Sequence, residues 1–253
     1  MSYKVSINIL TKNRAELFKK ALLSVEKQSF KDYEVIVVND GSSDETERVL
    51  QNFQFPISNF QIINHPSSLG ITKSRQEALE KSTGEYIAIL DDDDEWIDTD
   101  KLAKQVKYLD EHKECVLVGG GRVDEISNQI KNPNGKNIRL RLESDQQIRK
   151  TMLFRNNFFT STVMFRREVA IRAGGFISDA DDFGEDYDLW LRMGKLGKMY
   201  NFPQAFTHYT VPNYNKLRFK AFLSKQLRLI KREKSNYLLY YFASVLLKLR
   251  LHI

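Results

Sequence analysis

Of the 253 residues, one is cysteine and four are histidine. A lone cysteine, Cys115, excludes an intramolecular disulfide framework and a cysteine-rich metal site. It lies in the apolar run Cys115-Val116-Leu117-Val118 and reads as a small core residue. The histidines are scattered, with no zinc-type cluster. No G-x-G-x-x-G follows the first strand-like run, and no G-x-x-x-x-G-K-[ST] occurs. A dinucleotide-dependent dehydrogenase and a P-loop NTPase are therefore disfavoured. Repeats and low-complexity linkers are missing too. Met1-Ser2-Tyr3-Lys4 leads straight into a strand-like run, so no signal peptide is read. The expected location is the cytoplasm, with peripheral contact at the inner face of the cell membrane.

Hydrophobic residues make up 42% and charged residues 28%, values of an ordinary globular domain. The formal net charge of +6 is uneven. Residues 214–253 hold ten Lys or Arg and one acid, so the remainder is mildly acidic. A basic core for nucleic acid is excluded, and the positive charge belongs to one terminal module.

Short apolar runs alternate with helical patterns. Strands are predicted at 4–10, 33–38, 60–64, 85–90 and 115–119, and helices at 15–28, 44–50, 70–81 and 98–111. Such alternation predicts right-handed βαβ units and a mostly parallel sheet. Residues 122–150 are polar and read as a hairpin or mobile loop turning at 132–135. A strand at 160–165 and helices at 167–173 and 185–195 follow. Residues 1–212 are expected to form one domain, with 213–253 as a helical tail.

Ligands of such sheets bind beyond the carboxyl ends of the strands. There the chain carries Thr11-Lys12-Asn13-Arg14, Asn39-Asp40-Gly41-Ser42-Ser43-Asp44 and Asp91-Asp92-Asp93-Asp94. Four adjacent carboxylates repel each other. A divalent cation would remove that conflict, being a hard ion that takes carboxylate oxygens. The alternative is a solvated acidic turn before the helix near Asp98. Asp40 could accept a proton from a nucleobase imide, whereas Gly41 and Asp44 need only a turn and a helix cap. Glu185-Asp186 is either a helix-capping pair or the source of a general base.

Together, these segments resemble the family 2 nucleotide-sugar glycosyltransferases of the GT-A fold. The resemblance covers residues 4 to about 200. It rests on 6–14, 34–44, Gly70-Ile71-Thr72-Lys73-Ser74-Arg75, 84–94, Gly174-Gly175-Phe176 and Glu185-Asp186-Tyr187-Asp188-Leu189-Trp190-Leu191-Arg192, in that order. It implies an α/β fold and an inverting, metal-dependent transfer from a nucleotide-diphosphate sugar, with a UDP-sugar as the expected donor. The implied acceptor is a glycan or lipid-linked carrier in bacterial-type surface polysaccharide synthesis. The nucleotide-binding positions it implies are Thr11, Asn13, Arg14, Asp40, Lys73, Arg75, Asp91 and Asp92. Asp93 is the implied ligand of Mn²⁺ or Mg²⁺, and Asp186 the base. His208 is a second metal candidate, although it stands a few residues early for the family's spacing. A sugar-1-phosphate nucleotidyltransferase would need a glycine-rich first loop, which 11–14 lacks. A non-catalytic sugar-nucleotide-binding protein would not need both Asp93 and Asp186.

The tail has Leu217, Phe219, Phe222, Leu223, Leu227 and Ile230 among its basic residues, followed by an apolar, aromatic segment at 237–247. That segment is too short for a bilayer span, which needs ~20 residues. A basic amphipathic helix suits an anionic membrane surface; packing on the domain or in a homodimer is the alternative.

Overall fold

The computed structural model describes residues 3–53, 59–124, 137–177, 184–210, 227–229 and 231–232. In chain order the elements are β1 (Val5–Thr11), α1 (Ala15–Glu26), β2 (Tyr33–Asn39), α2 (Thr46–Asn52), β3 (Phe60–Asn64), α3 (Ile71–Lys81), β4 (Tyr86–Asp91), β5 (Asp94–Trp96), α4 (Lys101–Glu111), β6 (Cys115–Asp124), β7 (Ile138–Arg139), α5 (Asp145–Thr151), β8 (Met164–Arg166), α6 (Arg167–Arg172), α7 (Glu185–Met193) and β9 (Lys198–Tyr209). The described strands form one sheet in the order β3-β2-β1-β4-β8-β6-β9-β5, with β7 on β6.

The long ladders are the parallel ones. β1 pairs with β2 and β4, β2 with β3, and β6 with β9. The antiparallel ladders, β4 to β8, β5 to β9 and β6 to β7 and β8, are two or three residues long. The expected mostly parallel α/β sheet is therefore present. Strand β2 is buried at every position, because a central strand covered on both faces takes a continuous apolar run. Helix α1 turns Phe18, Ala21, Leu22 and Val25 inward, the spacing of one helical face.

Differences cluster after residue 120. The stretch read as a hairpin or mobile loop has the antiparallel β6–β7 pairing that the first alternative expected, and beyond it the unexpected helix α5; the turn proposed at 132–135 lies outside the described residues. Helix α5 is announced by a capping box, in which Ser144 and Gln147 exchange side-chain and backbone bonds. That is a local signal that can be read in the sequence. The strand expected at 160–165 is a 3-10 turn, Thr160–Thr162, followed by β8. Strand β9, twelve residues long, escapes periodicity because it serves two neighbours, β6 and β5, with a shifted register.

Of the tail, the described positions in 227–232 are helical and lie against the domain. Leu229 is buried in the apolar cluster that contains Leu189, Trp190 and Met193. Arg232 pairs with Asp188 of α7 at 2.5 Å. This part of the tail thus packs on the domain, the alternative to a membrane surface; the apolar segment at 237–247 lies outside the described residues. Among the described residues, no helix is long and apolar enough to cross a membrane.

Leu229→Ala should lower stability by about 2–3 kcal/mol, the usual result of emptying a buried leucine site. Urea unfolding of the full chain measures it. An unchanged midpoint would mean that this segment does not hold the domain.

Candidate active site

The carboxyl ends of β1, β2 and β4 converge on the Asp91–Asp94 run. Asp91 closes β4, Asp92 and Asp93 form the turn, and Asp94 opens β5. Each carboxylate has a partner, Asp92 and Asp93 sharing one. Asp91 accepts from Arg75 Nη2 at 2.8 Å. Arg14 Nη1 donates to both Asp92 and Asp93 at 2.8 Å. Asp94 accepts from the Ser161 hydroxyl. Compensation is incomplete. Burial, then Asp91 and Asp92, push Asp93 up to about 6 against the pull of Arg14. Burial, then Asp91 and Asp93, push Asp94 up to about 8.

Two cavities flank this run. The first, about 330 Å³, is lined by Thr11, Lys12, Arg14, Asp40, Ser68, Gly70, Ile71, Ser74 and Asp92. The second, about 190 Å³, is lined by Asp91, Asp94, Arg122, Phe158, Phe159, Thr160, Ser161, Thr162, Thr207 and Tyr209. Four of the expected nucleotide positions, Thr11, Arg14, Asp40 and Asp92, meet in the first cavity; Asp91 faces the second.

Asp40 organises the floor of the first cavity. Its carboxylate accepts from His65 Nδ1 at 2.8 Å, Ser68 Oγ at 2.6 Å, Leu69 N at 2.7 Å and Gly70 N at 3.1 Å. Burial alone would raise its pKa, but these four donors outweigh burial and hold it at about 2. A carboxylate offers about four acceptor sites, and all four contacts come from this chain. Accepting a base proton as well requires one donor, such as the rotatable Ser68 hydroxyl, to turn away. His65 spans Asp40 and Glu77, with Nε2 2.8 Å from the latter. Burial works against its protonated form, but the two carboxylates prevail and raise its pKa. Reading the strand-end rule at β3 would have found His65 and Ser68.

Gly41 (φ +69°) lets the β2 turn approach this floor. A Cβ there would stand 2.7 Å from the Ser67 carbonyl carbon, closer than packed atoms tolerate. Asn13 clips the β1 turn to the same loop, its Oδ1 accepting from Ser43 N at 2.7 Å. Asn13 is exposed, as is Lys73 on α3, and neither lines the cavity.

Arg75 is a brace beneath the site. It is 4% exposed, with Nε on Glu185 and Nη2 on Asp91, both at 2.8 Å. It ties the end of β4 to the start of α7, where Asp186 is bonded to Thr160 of the second cavity's lining. Burial and then Asp186 raise the pKa of Glu185 despite Arg75. Asp186 itself accepts from Thr160 Oγ1 at 2.7 Å and from its neighbour Tyr187 N at 2.6 Å.

His208 departs from expectation. Thr207 and Tyr209 line the second cavity, and alternate strand residues point to opposite faces. His208 does not line that cavity; by this alternation it is on the opposite face of β9, paired in register with Glu95 of β5. Among the described residues, no group of three or more His, Cys, Asp or Glu is arranged to hold a metal. Asp91 and Asp93 nevertheless suit a cation whose other ligands come from a diphosphate and water. They are the two more open members of the run, with side chains 34% and 21% exposed. Magnesium is commonly held by one or two carboxylates plus substrate phosphates, and the unrelieved negative charge on Asp93 supplies the attraction.

A sequence model for Glycosyl transferase family 2 matches residues 6–174. The chain belongs to that family. One similar protein is the amylovoran biosynthesis glycosyltransferase AmsE of Erwinia amylovora, 28% identical over 196 residues, which are 77% of this chain and 70% of that protein. Another is the GalNAc(5)-diNAcBac-PP-undecaprenol beta-1,3-glucosyltransferase of Campylobacter jejuni, 28% identical over 209 residues, 82% of this chain and 65% of that protein. This family 2 chain thus spans about two thirds of the length of such relatives. Its fold is similar to the Pyrobaculum calidifontis mannosyltransferase PcManGT in complex with GDP-Man and Mn2+, with a TM-score of 0.72, 19% identity and coverage of 98% of this chain and 70% of that one. It is also similar to S. aureus TarS 1-349 in complex with UDP, with a TM-score of 0.68, 19% identity and coverage of 90% and 64%. These likenesses establish the GT-A fold.

Asp40→Asn keeps the size but turns one acceptor oxygen into a donor facing donors. Loss of charged hydrogen bonds should cost about 1–3 kcal/mol at neutral pH. Because the folded pKa is depressed to about 2, the wild-type advantage should be complete above the unfolded value near 3.8 and vanish as pH falls through about 2. Paired denaturant titrations across this range read the difference. A gap that does not change with pH would contradict the ionised, donor-saturated Asp40.

Proposed function

We propose that this protein is an inverting, metal-dependent glycosyltransferase that moves a sugar from a nucleotide-diphosphate sugar, with a UDP-sugar as the donor, to a glycan or lipid-linked acceptor in surface polysaccharide synthesis. The observation that carries this reading is the pair of cavities on either side of the aspartate run, with Asp186 hydrogen-bonded to Thr160 of the second. A nucleoside fits the first cavity between Thr11, Asp40 and Ser68. The donor sugar then extends past Asp91 and Asp93 into the second. PcManGT with GDP-Man and Mn2+ and TarS with UDP support the donor class, and the undecaprenol-linked glycan in the Campylobacter enzyme's name supports the acceptor class.

Asp91 and Asp93 would hold Mn²⁺ or Mg²⁺. When bound, the ion offsets the negative charge that builds on the departing diphosphate. Asp186 removes the proton of the acceptor hydroxyl as that oxygen attacks the anomeric carbon from the face opposite the leaving group. Its carboxylate is aimed by Thr160, which donates to Oδ2 and leaves acceptor capacity on both oxygens. One protein base and one displacement suffice, so the configuration inverts. Arg75 and Glu185 position Asp186 without touching the reacting atoms.

Asp186→Asn preserves size and hydrogen bonding but loses proton acceptance. Turnover should drop ~10²–10⁴-fold with donor affinity nearly unchanged, as judged by donor consumption and calorimetry. A variant with more than about a tenth of wild-type turnover would return Asp186 to a helix-capping role.

Asp93→Ala should leave the fold intact and remove the gain in nucleotide diphosphate affinity that Mn²⁺ gives the wild type. Titrations with and without metal decide it. The same metal dependence in both proteins would exclude Asp93 as a ligand.

A further inference from the structure

The wall of the second cavity carries a positive cluster that sugar transfer does not require. Arg122 of β6 stands directly opposite Arg139 of β7, and facing like charges destabilise a sheet. Their one shared counter-charge is Asp124, 2.7 Å from Arg122 Nε and 3.0 Å from Arg139 Nε. Arg141 lies over one ring with Arg122. Their guanidinium carbons are 4.1 Å and 4.4 Å from the Phe159 centroid, and Arg122 is also 3.6 Å from the Tyr209 centroid. The Arg141 Nε–H is buried and has no hydrogen-bond partner among the described residues. Arg155 completes the group. Burial first, then Arg155, Arg122 and Arg139, lower the Arg141 pKa to about 10, opposed by Asp124. Arg122 and Arg141 thus share the Phe159 ring, Arg139 stands beside Arg122, Arg155 is near enough to act on Arg141, and among the described residues Asp124 is the carboxylate paired with Arg122 and Arg139.

Arg122, Phe159 and Tyr209 line the cavity that also contains Thr160, the hydrogen-bond partner of Asp186. Arg122 and Arg139 are on β6 and β7, Arg141 follows β7 and Arg155 follows α5; none of the four lines the first cavity beside β1 and β2.

We propose that Arg122, Arg139, Arg141 and Arg155 form an anion subsite that receives a phosphate group carried by the acceptor. The assignment to the acceptor rests on the donor reading given above. Stacking on Phe159 and Tyr209 fixes the guanidinium planes, and planar forks match phosphate oxygens. A phosphate carries up to two charges and three acceptor oxygens, which suits a cluster with a large excess of positive charge. Binding there would hold the acceptor with its hydroxyl toward Asp186.

The probe is inorganic pyrophosphate, titrated calorimetrically into the full chain in metal-depleted buffer, where the unmetallated aspartates repel it. Wild type should bind, and more weakly as salt rises. Arg155→Gln, an exposed position with little bearing on folding, and Arg141→Gln should each weaken binding by about tenfold or more. Arg172→Gln, an exposed control on α6, should bind like wild type. UDP affinity with Mn²⁺ should be the same in Arg155→Gln as in wild type. Equal pyrophosphate binding in wild type and Arg155→Gln, or none by wild type at low salt, would overturn the subsite. A parallel loss of UDP affinity in Arg155→Gln would give the anion to the donor and overturn the acceptor assignment. Pyrophosphate binding that follows the arginines in a protein that binds no nucleotide would instead reject the donor reading, and the acceptor assignment with it.

Discussion

Four carboxylates in succession at residues 91–94 repel one another, and much of the site consists of the devices that hold them apart. The chain splits the run between the end of β4, a turn and the start of β5. It then pairs the four carboxylates with three partners from different parts of the fold. Arg75 comes from α3, Arg14 from the head of α1, and Ser161 from the 3-10 turn. Those partners fix the first strand–helix turn, the third helix and the cavity wall relative to one another. The residual repulsion raises the pKa values of both Asp93 and Asp94, which is the condition a divalent ion would relieve.

Two buried networks carry this order outward. Asp40 gathers the 65–70 loop with four donors, and His65 continues the chain of bonds to Glu77 on α3. Arg75 continues in the other direction to Glu185, so one helix, α3, is tied to both cavities. A buried charge that loses its partner costs more than the pair contributes. The networks therefore act less as a source of net stability than as a constraint on where Asp40, Asp91 and Asp186 can stand.

Positive charge is distributed by the same logic but with a different result. Arg14 and Arg75 are matched by carboxylates. Among the described residues, Arg122 and Arg139 share Asp124, Arg141 lies on the Phe159 ring with Arg122, and Arg122 lines the second cavity. The tail's basic residues fare differently again: Arg232 reaches Asp188 and Leu229 joins the core, so the described part of the tail belongs to the domain.

The sequence by itself determined the alternating half of the sheet and the position of the site. The runs at β1, β2 and β4 are apolar because they are covered on both faces, and the polar residues at their carboxyl ends stand where such sheets bind ligands. Those are local properties, legible in periodicity and in the motifs around Asp40, Asp91–Asp94 and Asp186. The tertiary structure decided what depends on pairing between distant segments. Strand β9 answers to β6 and β5 at once, so its pattern has no single period. Its alternation is what turns His208 away from the cavity and Tyr209 into it. Arg75 was legible as a motif residue, but its role as a brace depends on Glu185, 110 residues away. The arginine cluster draws on three stretches of chain that only folding brings to one aromatic ring, because charges far apart in sequence interact only once packing has fixed the distance between them.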